Sequence, residues 1–262
     1  MEQSIILDIN KGVAQITLNR PQSLNSFNTE MQESLLSALK TITRDDSVRC
    51  VLITGNGRGF CAGQDLSDRQ QDDSSGPPDL GDTLEKYYNK VIRGIQTMDM
   101  PVVCAVNGVA AGAGANIALA CDIVIAAESA SFIQAFCRLG LVPDAGGTWM
   151  LPRLVGMAKA KALSMLGDKV SATDAERMGM IYAVKPDDEF LHHTQELARH
   201  LATQPTYGLG LIKRALNESL DNDLDTQLDV ERDYQRLAAR SEDYKIGVNA
   251  FLNKTKPVFK GR

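Results

Sequence analysis

The sequence predicts an α/β fold followed by an all-helical C-terminal region. Two runs, CVLIT at 50–54 and VVCAV at 102–106, are apolar without interruption, as strands buried on both faces are. Each leads into a turn of small residues, and strand and helix signals alternate through about residue 185. Beyond residue 187 the strand signals stop.

Taken in order, SIILDI (4–9) and GVAQITL (12–18) are short alternating runs separated by Asn10 and Lys11, and read as a hairpin. Over 29–43, Met31, Leu35, Leu39 and Ile42 recur on one helical face. The polar run LSDRQQDDSSGPPDLGD (66–82) reads as a mobile loop. A second amphipathic helix follows, with Leu84, Tyr88, Val91, Ile95 and Met98 on one side. VVCAV then runs into a glycine-rich turn and ANIALA, and DIVIAA (122–127) supplies a further strand. Segments 188–203, 205–220, 224–240 and 242–253 all read as helix. A boundary falls near residue 200, at the Gln204-Pro205 step, separating a core of 1–200 from a helical region of 201–262. Apolar residues on more than one face of these last helices fit packing against another subunit.

Composition narrows the function. The 262 residues carry 28 basic and 33 acidic side chains, a net charge of −5, which argues against nucleic acid and against a polybasic membrane anchor. No run approaches the ~18 apolar residues of a membrane span, and the first residues lack a signal-peptide pattern. Cys50, Cys61, Cys104, Cys121 and Cys137 are odd in number and widely spaced, so they read as reduced thiols of a cytoplasmic protein, with no metal framework. The three histidines, His192, His193 and His200, all lie in one late helical segment, which leaves a nucleophile–histidine mechanism little to draw on.

Two strand exits are rich in small residues: GNGRGFCAGQDLSD (55–68) and NGVAAGAGANIALACD (107–122). Small residues admit a ligand to the backbone, and first-turn N–H groups have no intrahelical partner. Two such turns facing each other would hold one oxygen between two donors; tight turns and close packing are the alternative use of the same glycines. Neither run has phosphate-loop or dinucleotide spacing. A lone carboxylate, Asp144, stands between Pro143 and Ala145-Gly146-Gly147, as a helix N-cap or as a reacting group.

FCAGQDL (60–66), AVNGVAAGAGANIALACDIVIA (105–126) and LGLVPDAGGTWMLPRLVG (139–156) resemble the three signature blocks of the enoyl-CoA hydratase/isomerase, or crotonase, superfamily. NRPQSLNSFN (19–28) and GVNAFLNKTKPVFKG (247–261) resemble its first and last blocks, so the likeness spans essentially the whole chain. The resemblance implies a crotonase-like spiral of ββα turns with a C-terminal helical trimerisation region, a homotrimer or dimer of trimers, and an acyl-CoA thioester substrate. It implies no cofactor, since coenzyme A is part of the substrate, and no metal, nucleic-acid or membrane partner.

Residue by residue, the resemblance places oxyanion donors on the backbone N–H of Gln64 and Ala113. Where family hydratases carry two glutamates, this chain has Asn116 and Phe136, and a carboxylate appears instead at Asp144, where family isomerases place an acid/base. Asn116 either bonds substrate or holds its helix. The CoA contacts implied are Ser23, Leu24, Ala62, Asp65, Leu66, Phe251 and Lys254. Trp149, the only tryptophan, packs in the core or lines the acyl pocket. GPPDLGDTLEKYYN (76–89) and LDTQLDVERDYQRLAARSEDY (224–244) are similar to the branch that converts the ring-1,2-epoxide of phenylacetyl-CoA to a seven-membered oxepin, a branch also associated with cis-3 to trans-2 double-bond shifts. A hydratase or thioester hydrolase on the same scaffold, and a non-catalytic CoA-binding subunit, are the alternatives.

Overall fold

The computed structural model describes residues 3–69 and 79–262. Its main sheet has six strands: β1 (Ile5–Asn10), β2 (Val13–Leu18), β3 (Cys50–Gly55), β5 (Val102–Val106), β7 (Ile123–Ala127) and β10 (Ala183–Lys185), paired in that spatial order. The hairpin β1–β2 is antiparallel and every later pair is parallel. Its turn is Lys11-Gly12, both at positive φ (50° and 81°), the two-residue geometry that matches strand twist.

A second sheet is made of four three-residue strands: β4 (Gly59–Cys61), β6 (Val109–Ala111), β8 (Ser131–Ile133) and β9 (Lys169–Ser171). The chain leaves a strand of the first sheet, makes a strand of the second, then a helix, and repeats. That is the expected spiral. The short strands are absent from the sequence reading, because three residues carry too little periodicity to stand out.

Helix α1 (Thr29–Thr43) starts where Asn28 caps it, its side chain accepting the Met31 N–H at 2.9 Å, and it buries Met31, Leu35, Leu39 and Ile42 as the spacing required. The second helix departs from expectation. It is α2 (Leu80–Thr83), one π-helical turn over Leu84–Tyr88, then α3 (Asn89–Thr97). The π turn inserts one extra residue and brings Tyr88 wholly into the core. Residues 66–69 form a 3-10 turn, so the expected 66–82 loop is structured at both ends; its middle, 70–78, lies outside the described residues.

Helix α4 (Ala113–Leu119) is buried along its entire length. Next come α5 (Gly147–Val155), α6 (Met157–Leu166), α7 (Ala172–Arg177) and α8 (Asp187–Ala202), the last packed across the main sheet. The helical region continues as α9 (Thr206–Glu218), α10 (Leu224–Ala238) and α11 (Glu242–Asn253). Lys213 of α9 is buried; its Nζ donates to the Ile95 carbonyl at 2.6 Å and to Asp122 Oδ2 at 2.9 Å. Arg49, at the start of β3, reaches Thr206 Oγ1 and the carbonyls of Gln204 and Phe259. Asp243 accepts the N–H groups of Lys260 and Gly261, which returns the end of the chain to α11. Among the described residues, no helix is long and apolar enough to cross a membrane. Burial pushes the Cys50 and Cys61 thiols up to about 12, which keeps both protonated and unreactive.

Candidate active site

The site begins in the loop before α1. Leu24 and Asn25 both sit at positive φ (50° and 56°), a rare conformation for residues with side chains. Asn25 supports it: fully buried, it donates to the carbonyls of Asn56 (2.9 Å) and Gly59 (2.8 Å) and accepts the Arg20 N–H (2.8 Å). So folded, the loop lies along the turn after β4. Ala62 N–H donates to Leu24 O, Phe27 N–H to Gly63 O and Asp65 N–H to Phe27 O, at 2.7–2.9 Å. Ser23, Leu24, Ala62, Asp65 and Leu66 are thereby brought together. The Ser67 hydroxyl, and then the Arg20 guanidinium 2.9 Å away, hold the Asp65 carboxyl below the usual carboxylate range. Leu66 is exposed.

The two small-residue turns adjoin. At Gly63 (φ +91°), a Cβ would lie 3.0 Å from Ala111 O and 3.7 Å from Ala113 N. At Gly114, a Cβ would strike Cys61 at 2.5–2.6 Å, so α4 docks on β4 only with glycine there. Ala113 is the first residue of α4, and its N–H has no intrahelical acceptor. Among the described residues, no protein group accepts the N–H of Gln64 or of Ala113. The Gln64 side chain is fixed from the other side, its Oε1 accepting Tyr88 OH at 2.7 Å and Gln32 Nε2 at 2.9 Å. Free backbone donors on adjoining turns are suited to an oxygen that gains negative charge.

Asp144 lies on the loop ahead of α5. The helix starts at Gly147 with Gly146 as its cap residue, so Asp144 stands two residues before the cap. It meets the helix through its carbonyl, which accepts Gly147 N–H at 2.9 Å. Ala145 (φ 48°) and Gly146 (φ 77°) turn the backbone through two successive left-handed residues. Asn116, fully buried in the first turn of α4, donates its Nδ2 to that same Asp144 carbonyl at 2.8 Å, while its Oδ1 accepts Gln134 Nε2 at 2.7 Å. Phe136 is buried in a 3-10 turn; its ring edge lies 3.7 Å from the Cβ position of Gly112, beneath the Ala113 turn. Asn116, Phe136, Ala113 and the Asp144 loop therefore form one cluster.

The remaining candidates lie elsewhere in the chain. Trp149 packs against the core, stacks under the Arg153 guanidinium at 4.1 Å, and lines a groove of about 450 Å³ between α5 and α9 with Leu119, Leu154, Ile212 and Leu216. Phe251 is 84% exposed on α11, and Lys254 is that helix's left-handed terminus. Sequence reasoning missed Asn25, Gln32, Tyr88 and Gln134. Apart from Arg20, five residues before Asn25, their partners lie 18 to 34 residues away, so no local pattern announces their roles.

The pattern of the enoyl-CoA hydratase/isomerase family matches residues 8–262. The chain is 57% identical to a 1,2-epoxyphenylacetyl-CoA isomerase of Escherichia coli strain K12, with all of both chains covered. It is 36% identical to a 2,3-dehydroadipyl-CoA hydratase of the same strain, covering 98% of this chain and 99% of that one. A crystal structure of an enoyl-CoA hydratase from Bacillus anthracis superposes with a TM-score of 0.91 at 32% identity, covering 99% and 100%. On the sequence, the spiral and these likenesses together, the chain belongs to the enoyl-CoA hydratase/isomerase family.

Proposed function

We propose that this enzyme isomerises an acyl-CoA thioester, converting the ring-1,2-epoxide of phenylacetyl-CoA to its oxepin, with the cis-3 to trans-2 enoyl-CoA shift as a second reaction of the same chemistry. The observation that carries this reading is the 57% identity, end to end, with a 1,2-epoxyphenylacetyl-CoA isomerase. In this reading the C–C bond shared by the epoxide and the six-membered ring opens to give the seven-membered ring, a step the enoyl-CoA shift lacks. Asp144 takes a proton from the carbon beside the thioester carbonyl and returns it to another carbon. The N–H groups of Gln64 and Ala113 hold the enolate oxygen between the two transfers. One carboxylate suffices for that sequence. Hydration in this family uses two, at positions that here hold Asn116 and Phe136.

Coenzyme A is part of the substrate, and the proposed reaction needs no further cofactor. Its contacts are assigned to Ser23, Leu24, Ala62, Asp65 and Leu66, with Phe251 and Lys254 reaching in from α11 of a neighbouring subunit of a homotrimer or dimer of trimers. The test is a coupled assay of wild type and Asp144→Asn on both substrates, with CoA binding as control. Rate is expected to fall about 10²-fold or more while CoA binding persists. An Asp144→Asn enzyme that keeps its rate would sink the assignment.

A further inference from the structure

We infer that Asn116 is a positioning residue, which sets the distance between the helix carrying the Ala113 N–H and the loop carrying Asp144. The inference rests on the isomerase reading above. Three observations lead to it.

Both ends of the Asn116 amide are committed. Nδ2 donates to Asp144 O and Oδ1 accepts from Gln134, and the side chain is wholly buried, so protein holds the amide from both ends and none of its surface is exposed for a substrate to reach. The amide's orientation is also dictated. A backbone carbonyl only accepts, so the NH₂ group must face Asp144, the oxygen must face Gln134, and Gln134 must turn its own NH₂ inward. Gln134, 5% exposed, is left with an Oε1 that has no partner among the described residues, a cost consistent with an orientation imposed from the Asp144 end.

The seat is also closed on its far side. A Cβ at Gly147 would lie 2.3 Å from Asn116 Nδ2, and Gly147 has no positive φ that would demand glycine for backbone reasons. The glycine at 147 is therefore explained by the amide beside it. Asn116 and Ala113 share the first turn of α4, while Asp144 and Gly147 bracket the start of α5. One hydrogen bond thus spans the two structures whose spacing decides where a proton leaves relative to where charge collects.

The experiment compares Asn116→Ala, Gly147→Ala and the double variant, measuring kcat, KM, CoA binding and melting temperature. Each single change is expected to lower kcat by ~10²-fold with KM and CoA binding held, as for a reacting group displaced by about 1 Å. In the double variant the new methyl at 147 fits the space that the amide vacates. Melting temperature is then expected to recover while kcat stays low. Full recovery of kcat would overturn the proposal, since Asn116 would then only fill space. A rise in KM with kcat unchanged would also overturn it, by making Asn116 a substrate contact. Should Gly147→Ala fail to fold, the double variant carries the test alone. An enzyme active in wild type, dead as Asp144→Asn and unaffected at 116 sinks this inference and leaves the isomerase reading standing. Retention of rate by Asp144→Asn sinks the isomerase reading instead.

Discussion

Asn25 has no part in the proposed chemistry, yet much of the geometry of the proposed CoA contacts hangs on it. Its side chain makes three hydrogen bonds from a fully buried position and supports two successive left-handed residues. Removing it leaves the Asn56 and Gly59 carbonyls and the Arg20 N–H to find other partners. Asn25→Ala is expected to lower stability by about 2–3 kcal/mol, read as a shift of the urea midpoint with unchanged slope. An unshifted midpoint would mean that the loop holds itself. Asp144 differs from Asn25 in legibility. Its place in the sequence marked it, because a lone carboxylate among glycines is conspicuous; Asn25 and Gln134 were unmarked, because a buried polar residue is recognised only by what surrounds it.

Elements were legible in proportion to their length and apolar regularity. Helix α1 and strands β3 and β5 are found within a residue of where the pattern put them, since each buries an unbroken face. The second sheet was invisible, and so was the π turn that carries Tyr88 to Gln64. Helix α9 was predicted, but not its anchorage. Burial holds the Asp122 carboxyl above the usual carboxylate range, even with Lys213 beside it and the Val102 N–H donating to it. A carboxyl raised on folding contributes stability that is complete below its unfolded value of about 3.9 and is lost as pH rises through the folded one. Taking away the lysine removes the cation that favours ionisation, so the folded value rises further. The gap in stability between wild type and Lys213→Met is therefore expected to be smallest at acid pH and to widen as pH rises, towards the roughly 3 kcal/mol that breaking a buried pair costs. Melting curves across that range decide it: a gap independent of pH would assign the contribution of Lys213 to packing alone.

At the scale of the whole molecule, the C-terminal helices carry a group of large apolar side chains exposed to solvent. Ile212, Leu216 and Leu220 of α9 and its exit, with Leu224 and Leu228 of α10, are all exposed, and a groove between the two helices is lined by Leu211, Ile212, Leu216 and Leu228. If these surfaces form the proposed trimer, light scattering gives three or six chain masses for wild type. Leu216→Glu, with a charge placed on that surface, is expected to shift the population towards single chains; an unchanged mass would place the interface elsewhere. The main sheet has a further property. Its strands lie in the order β1-β2-β3-β5-β7-β10, so each new strand joins the edge left by its predecessor and none is inserted between two already paired. A chain emerging from the ribosome can thus be laid down coil by coil without reopening what has formed. Arg49 is the exception: it emerges early, yet its acceptors at Gln204, Thr206 and Phe259 lie 155, 157 and 210 residues further along. The guanidinium just before β3 thus waits through most of synthesis for Gln204 and Thr206, and its bond to Phe259 closes later still.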